Sequence, residues 1–176
     1  GLYNIVKRLV KPINYLLITV NSVLAPKFSI FYHRKNYKNL RKYSLKSVNI
    51  LGIISIFILI SFLILKDKIL LLFGPEYLSI NNILIIVLCG QLINLSAGSV
   101  GYMLMMTGNE KYVRNNTIFS ACISIVLGVV LISTLGILGA GITSSVSLLT
   151  VNTLNIYYVN RKLNIMMFPF INRLKQ

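Results

Sequence analysis

The residues best suited to binding a charged ligand lie near the start of the sequence. If residues 1–26 form a helix, Lys7, Arg8, Lys11 and Asn14 share one face at three- and four-residue steps. Apolar residues occupy the opposite face. Ammonium and guanidinium groups on one face suit an anionic ligand such as a phosphate or pyrophosphate. This cationic face is the first candidate site.

Amide side chains within the apolar stretches form a second candidate set: Gln91, Asn94, Asn152 and Asn155. An amide both donates and accepts hydrogen bonds, so these residues are able to hold a polar headgroup or a sugar. They are equally able to bond one another across neighbouring helices, which is the commoner use of such residues inside a membrane. Both interpretations stay open at this point.

Groups capable of catalysis are scarce. The only acids are Asp67, Glu76 and Glu110, which we predict to lie in loops, and the single histidine, His33, falls in a basic loop. The two cysteines lie within apolar stretches and lack the spacing of metal ligands or of a redox pair. We therefore expect no catalytic residue, no metal and no cofactor, and we expect that the protein is not an enzyme.

The elements that position these residues are long and apolar. Four stretches, at 48–65, 83–106, 118–135 and 137–159, fit the length of about 20 residues that a helix needs to cross a bilayer. The chain has 176 residues, of which 56% are hydrophobic, and a mean hydropathy of +0.77. A soluble domain of this size has too little interior to bury all four stretches. The predicted fold class is an all-α, polytopic membrane helix bundle.

Small residues recur at four-residue steps inside these stretches. Gly141 and Ser145 form one such pair, and Ala97 and Gly101 form another. A further stripe consists of Asn116, Ser120, Ser124 and Gly128. Small side chains on one helix face let two helices approach closely, so these stripes predict helix–helix contacts rather than a ligand site.

Positive charge is concentrated beside the predicted spans. The net charge is +15, and basic residues cluster at 27–46, between the second and third long stretches, and after residue 160. Such clusters hold loops on the cytoplasmic side and attract anionic lipids. The sequence therefore predicts a cytoplasmic C-terminus, membrane lipids as partners and no nucleic-acid partner.

Residues 1–26 allow two placements. An amphipathic helix with its cations among lipid phosphates would lie on the cytoplasmic surface. A fifth spanning helix would instead direct its polar face into a water-filled cavity. The residues alone favour the surface helix, because a span would place Lys7, Arg8 and Lys11 toward the outside of the membrane.

Several short motifs then follow one another in a familiar order. They are Leu24-Ala25-Pro26, the segment 72–77 (LFGPEY), Gly101-Tyr102, the segment 106–111 (MTGNEK) and the glycine-rich turn at 136–141. Over residues 1–165 the series resembles the C-terminal half of bacterial polysaccharide-biosynthesis flippases. These are the Wzx-like transporters of the multidrug/oligosaccharidyl-lipid/polysaccharide superfamily.

The resemblance implies the C-terminal lobe of a MATE-like fold, with two helical lobes around a central cavity. It implies five spanning helices, at about 5–26, 48–65, 83–106, 118–135 and 137–159, followed by a cytoplasmic basic tail at 166–176. Residues 1–26 then span the membrane, and Lys7, Arg8 and Lys11 face the cavity. The match covers only about the last five helices, so we expect that the N-terminal lobe and one helix of the second lobe are missing.

The resemblance also implies an activity. Such a flippase moves an undecaprenyl-pyrophosphate-linked oligosaccharide across the bacterial inner membrane by alternating access, as in O-antigen assembly. A polysaccharide polymerase or glycosyltransferases would be its partners. Two alternatives remain: a cation-coupled multidrug exporter of the same superfamily, and a non-transporting membrane scaffold for a polysaccharide assembly complex. The lack of acids within the apolar stretches disfavours the exporter.

Overall fold

Helices make up almost all of the computed structural model, which describes residues 2–165. They are α1 (Leu2–His33), α2 (Tyr37–Leu71), a 3₁₀ helix (Pro75–Ile80), α3 (Asn81–Ala97), α4 (Val100–Met106), α5 (Glu110–Leu135) and α6 (Ile137–Leu163). The predicted all-α fold class is confirmed. The predicted basic tail at 166–176 lies outside the described residues.

Five helical segments are long and apolar enough to cross a membrane. They are Tyr3–His33, Tyr37–Leu71, Pro75–Ala97, Glu110–Leu135 and Ile137–Leu163. Residues 2–26 thus belong to a helix of 32 residues, Leu2–His33, rather than to a short surface segment. Five such helices are the architecture of a multi-pass membrane protein.

The helices extend beyond the predicted apolar stretches because their polar ends are also helical. α2 begins at Tyr37, where the Asn36 side chain caps the helix by accepting a hydrogen bond of 3.1 Å from the Asn39 amide. Lysine and arginine are good helix formers, so the basic segment adds turns to α2. The prediction that His33, Asp67, Glu76 and Glu110 lie in loops was wrong, because all four lie in helical segments.

The predicted continuous helix 83–106 was also wrong. It is two helices, α3 and α4, separated at Gly98 and Ser99. Gly98 has a φ of +67°, which ends α3, and a side chain built there would lie 3.2 Å from a methyl group of Val48 on α2. Glycine is the residue that tolerates both this backbone conformation and this close contact.

Two apolar clusters hold the bundle together, one toward each end. The first contains Val6, Val10 and Ile13 of α1 together with residues of α2 and α3 such as Leu70 and Leu84. The second joins Phe28 of α1 to Leu40, Met103, Leu104 and Val159. Because α1 contributes to both clusters, it runs along the bundle from one end to the other. This packing favours a fifth span over a helix lying on the surface.

One end of the bundle carries most of the positive charge, and we call it the basic end. It comprises the end of α1, the start of α2, the start of α5 and the end of α6. Its basic residues are Lys27, Arg34, Lys35, Lys38, Arg41, Lys42, Lys46, Lys111, Arg114, Arg161 and Lys162. α1, α3 and α6 run toward this end, whereas α2 and α5 run away from it.

A labelling experiment tests whether α1 spans the membrane. Cysteines are introduced as Lys11→Cys and Asn36→Cys in a Cys89→Ala/Cys122→Ala background. Both positions are exposed; Lys11 lies in the first half of α1 and Asn36 lies just beyond its last residue, His33. We expect a membrane-impermeant maleimide to label the two from opposite sides of sealed vesicles. Labelling of both from the same side would contradict the span and restore the surface helix.

Candidate ligand-binding face of the helix bundle

The cations of α1 point away from the core of the bundle. Val6, Val10 and Ile13 are buried in the first apolar cluster, and this orientation leaves Lys7, Arg8 and Lys11 exposed. Asn14 is half-buried beside them. The Lys7 Nζ lies 4.8 Å from the centre of the Tyr3 ring, and the Lys11 Nζ lies 5.6 Å from that of Tyr15. The aromatic rings partly stabilise these ammonium groups through cation–π contacts.

Tyr3 links this cationic face to α6. Its hydroxyl lies 3.4 Å from the carbonyl oxygen of Ala140 and 3.3 Å from the Oγ of Ser144, so it is placed to donate to either. Lys7 stands over the same ring. The cationic face therefore borders the first turns of α6.

Three of the four candidate amides bond between helices. Asn152 Nδ2 donates to Asn94 Oδ1 at 2.9 Å, which joins α6 to α3, and also to the Leu148 carbonyl. Asn116 Nδ2 donates to Asn155 Oδ1 at 2.9 Å, which joins α5 to α6. Of the two interpretations of these asparagines, interhelical bonding is the one that this geometry supports. Asn116 was predicted as part of a packing stripe, and its burial confirms that role.

Gln91 differs from the other amides. Its Oε1 is buried and has no hydrogen-bond partner in the part of the chain described, and the same holds for Asn21 Oδ1 and Ser99 Oγ. Asn21, which is 1% exposed, is a further buried amide that is absent from the candidates predicted above. The helical period does place Asn21 on the same face of α1 as Asn14, because it follows Asn14 by seven residues, which is about two turns. Buried acceptors without partners are unusual and mark places where a polar group or water is accommodated.

A groove lined by hydroxyls separates α5 and α6. Its volume is about 500 Å³, and its lining residues are Thr117, Ser120, Ala121, Ser124, Ile125, Ser147, Leu148 and Val151. Ser120 Oγ donates to the Ser147 carbonyl oxygen at 2.7 Å and so ties the two helices together at the base of the groove.

The groove and the cationic face share one side of the bundle. Along α6, Ser144, Leu148 and Val151 are four and three residues apart, so they lie on one helix face. Tyr3 contacts this face at Ser144, and the groove contains Leu148 and Val151. We call this the polar side: the cations of α1, the Tyr3–α6 contact and the α5–α6 groove. It offers positive charge from Lys7, Arg8 and Lys11 and hydroxyl groups from the α5–α6 groove.

The side chains that the polar side presents are ammonium, guanidinium and hydroxyl groups, which form hydrogen bonds with anionic and polar ligands. Between residues 2 and 165, no group of three or more His, Cys, Asp or Glu side chains is arranged to hold a metal ion. Comparison with known proteins gives no match to a family model, a curated protein or a solved structure. The resemblance to flippases therefore rests on sequence motifs, and the activity it implies enters below as a proposal.

Proposed function

We propose that this chain is part of a transporter that moves a lipid-linked anionic glycan across the bacterial cytoplasmic membrane. The cargo would be an oligosaccharide linked to undecaprenyl pyrophosphate, and the basic end would face the cytoplasm. One observation carries the proposal: Lys7, Arg8 and Lys11 are exposed on a helix long enough to span the membrane. None of the three has an ion-pair partner among residues 2–165.

Cations on a spanning helix require a compensating environment. A lysine or arginine at the centre of a transmembrane helix costs about 2.5–3.5 kcal/mol on insertion scales, and such residues face a water-filled cavity or a counter-charge. Acids are too few to supply that charge from within this sequence. A pyrophosphate group would supply it, because ammonium and guanidinium groups form strong, charge-assisted hydrogen bonds with phosphate oxygens.

The polar side also suits the sugar part of the cargo. Moving a glycan through hydrocarbon is prohibitive, since each unpaired polar group costs several kcal/mol. The hydroxyls of the α5–α6 groove lower that cost by replacing water as hydrogen-bond partners. A second helical lobe, closing over the polar side and rocking against it, would open the cavity to each side of the membrane in turn.

A charge-matched pair of variants tests this role. Lys7→Gln/Lys11→Gln removes two cations from the polar side, and Lys66→Gln/Lys68→Gln removes two from the end of α2, toward the same end of the bundle. We expect the first variant to bind undecaprenyl pyrophosphate at least tenfold more weakly in nanodiscs, because two charge-assisted contacts are lost. The second should bind within about twofold of the parent chain. Equal affinity of all three proteins would refute the proposal.

A non-transporting scaffold is the second candidate, and the asparagine pairs favour it. Asn94–Asn152 and Asn116–Asn155 satisfy one another across helices, as expected of residues that serve assembly alone. A scaffold would bind no undecaprenyl pyrophosphate, yet would co-purify with a polysaccharide polymerase or glycosyltransferase. The binding assay above therefore separates the two candidates.

A further inference from the structure

A cavity of about 630 Å³ opens at the basic end of the bundle, far along α1 from Lys7 and Lys11. It lies where the end of α1, the first turns of α2 and the end of α6 meet. Lys38 and Arg41 of α2 and Lys162 of α6 line it, together with the rings of Tyr32 and Tyr37. No acid is among its lining residues.

The wall formed by α6 is held in place by the way this helix ends. Asn164 has a φ of +52°, a left-handed conformation that asparagine tolerates better than most residues and that commonly ends a helix. The chain then turns back, and Ile165 is buried at 2% exposure in the same cluster as Phe28, Leu40 and Val159. This turn sets where Lys162 leaves α6: its side chain is exposed and lines the cavity, and its Nζ lies 5.1 Å from the centre of the Tyr112 ring of α5.

The electrostatics of the cavity favour an anion strongly. Three exposed cations line it, and Glu110 is the only acid at the basic end within residues 2–165. The N-terminus of α2 adds the positive end of a helix of 35 residues, with no acid in its first turn to offset that charge. An arginine fork and two ammonium groups around one cavity match the oxygens of a phosphate group.

We propose that this cavity binds the phosphate of an anionic membrane lipid. The ends of four candidate spans meet at the basic end, so the cavity lies at headgroup level. Tyr32 and Tyr37 are the type of aromatic residue that is enriched at this level. The cavity contains none of the residues of the polar side. A test of lipid binding at the cavity is therefore independent of the transport proposal.

Two variants with the same loss of charge test the site. Lys38→Gln/Arg41→Gln/Lys162→Gln removes the three cavity cations. Arg34→Gln/Lys35→Asn/Lys42→Gln removes one arginine and two lysines that are exposed at the basic end but do not line the cavity. Asparagine is used at position 35 because Lys35 has a φ of +55°.

Native mass spectrometry measures the binding of two lipids, phosphatidylglycerol and phosphatidylcholine, to the 176-residue chain in detergent. We expect the parent chain to bind phosphatidylglycerol at least tenfold more tightly than phosphatidylcholine. The cavity variant should lose that tenfold preference, and the control variant should keep it within about twofold. A Lys38→Arg/Lys162→Arg variant keeps the charge and should keep the preference, which separates loss of the site from loss of folding.

Three results would overturn the proposal. Equal loss in the cavity and control variants would mean that the whole basic end attracts anions diffusely. Equal binding of both lipids by the parent chain would remove the requirement for an anionic headgroup. Complete displacement of phosphatidylglycerol by millimolar inorganic phosphate would assign the cavity to free phosphate instead of a lipid.

Discussion

Gly90→Ala should lower the free energy of unfolding by about 3 kcal/mol, because α3 and α6 touch at this residue. A side chain built at Gly90 would lie 2.5 Å from Ser145 Oγ and 2.8 Å from Ser145 Cα. The second contact is with backbone, so rotation of the Ser145 side chain does not relieve it. The two helices would have to separate, which would also strain the hydrogen bond of 2.9 Å from Ser145 Oγ to the Ile86 carbonyl oxygen.

Gly52→Ala is the matched control. Gly52 lies inside α2, and a side chain built there would meet no atom within 4 Å. Alanine is favoured over glycine by about 0.5–1 kcal/mol in a helix interior, so this variant should be slightly more stable than the parent chain. Reversible unfolding in mixed micelles measures both changes. Similar stabilities for the two variants would show that α3 and α6 do not cross as closely as described.

Asn155→Ala should cost about 2 kcal/mol of stability, since it leaves the buried amide of Asn116 without its partner. Asn116 and Asn155 are 4% and 5% exposed, so water does not readily replace the lost bond. The double variant Asn116→Ala/Asn155→Ala should cost less than the two single changes added together. A coupling of about 1 kcal/mol is expected for such a pair between membrane helices.

Asn115→Ala provides the reference for this cycle. Asn115 is the exposed neighbour of Asn116 on α5, and its replacement should change stability by no more than about 0.5 kcal/mol. The same unfolding measurement in mixed micelles serves the parent chain and all four variants. If the stability lost in the double variant equals the sum of the losses in Asn116→Ala and Asn155→Ala, the hydrogen bond between these two residues would be contradicted.

Local patterns in the sequence predicted the helices and several of their contact faces. The hydrophobic stretches predicted four of the five spans, although the stretch at 83–106 is interrupted after Ala97, and the small-residue stripes predicted faces that are largely buried. Gly141 packs against Ile83 and Val87 of α3, and Gly128 lies close to Thr143 of α6. Such features are predictable because they depend on residue type and helical period alone.

Features that depend on the register between helices were not predictable. The apolar pattern continues unbroken through Gly98, and the break there involves close contact with Val48, fifty residues earlier in the chain. The pairing of Asn155 with Asn116 rather than with a ligand is likewise decided by how α5 and α6 align. The cavity at the basic end needs Ile165 to turn back into the core, which no local periodicity indicates.

The single residue between α5 and α6 also has a consequence for biosynthesis. Gly136, with a φ of +58°, is the entire connection, so α5 and α6 form an antiparallel hairpin that is able to assemble once both helices have been synthesised. Asn116 and Ser120 find their partners within that hairpin, at Asn155 and Ser147. Inserted singly, either helix would carry unpaired polar groups into hydrocarbon, whereas together they enter with those groups already bonded. α5 and α6 should therefore leave the translocon for the lipid as one unit.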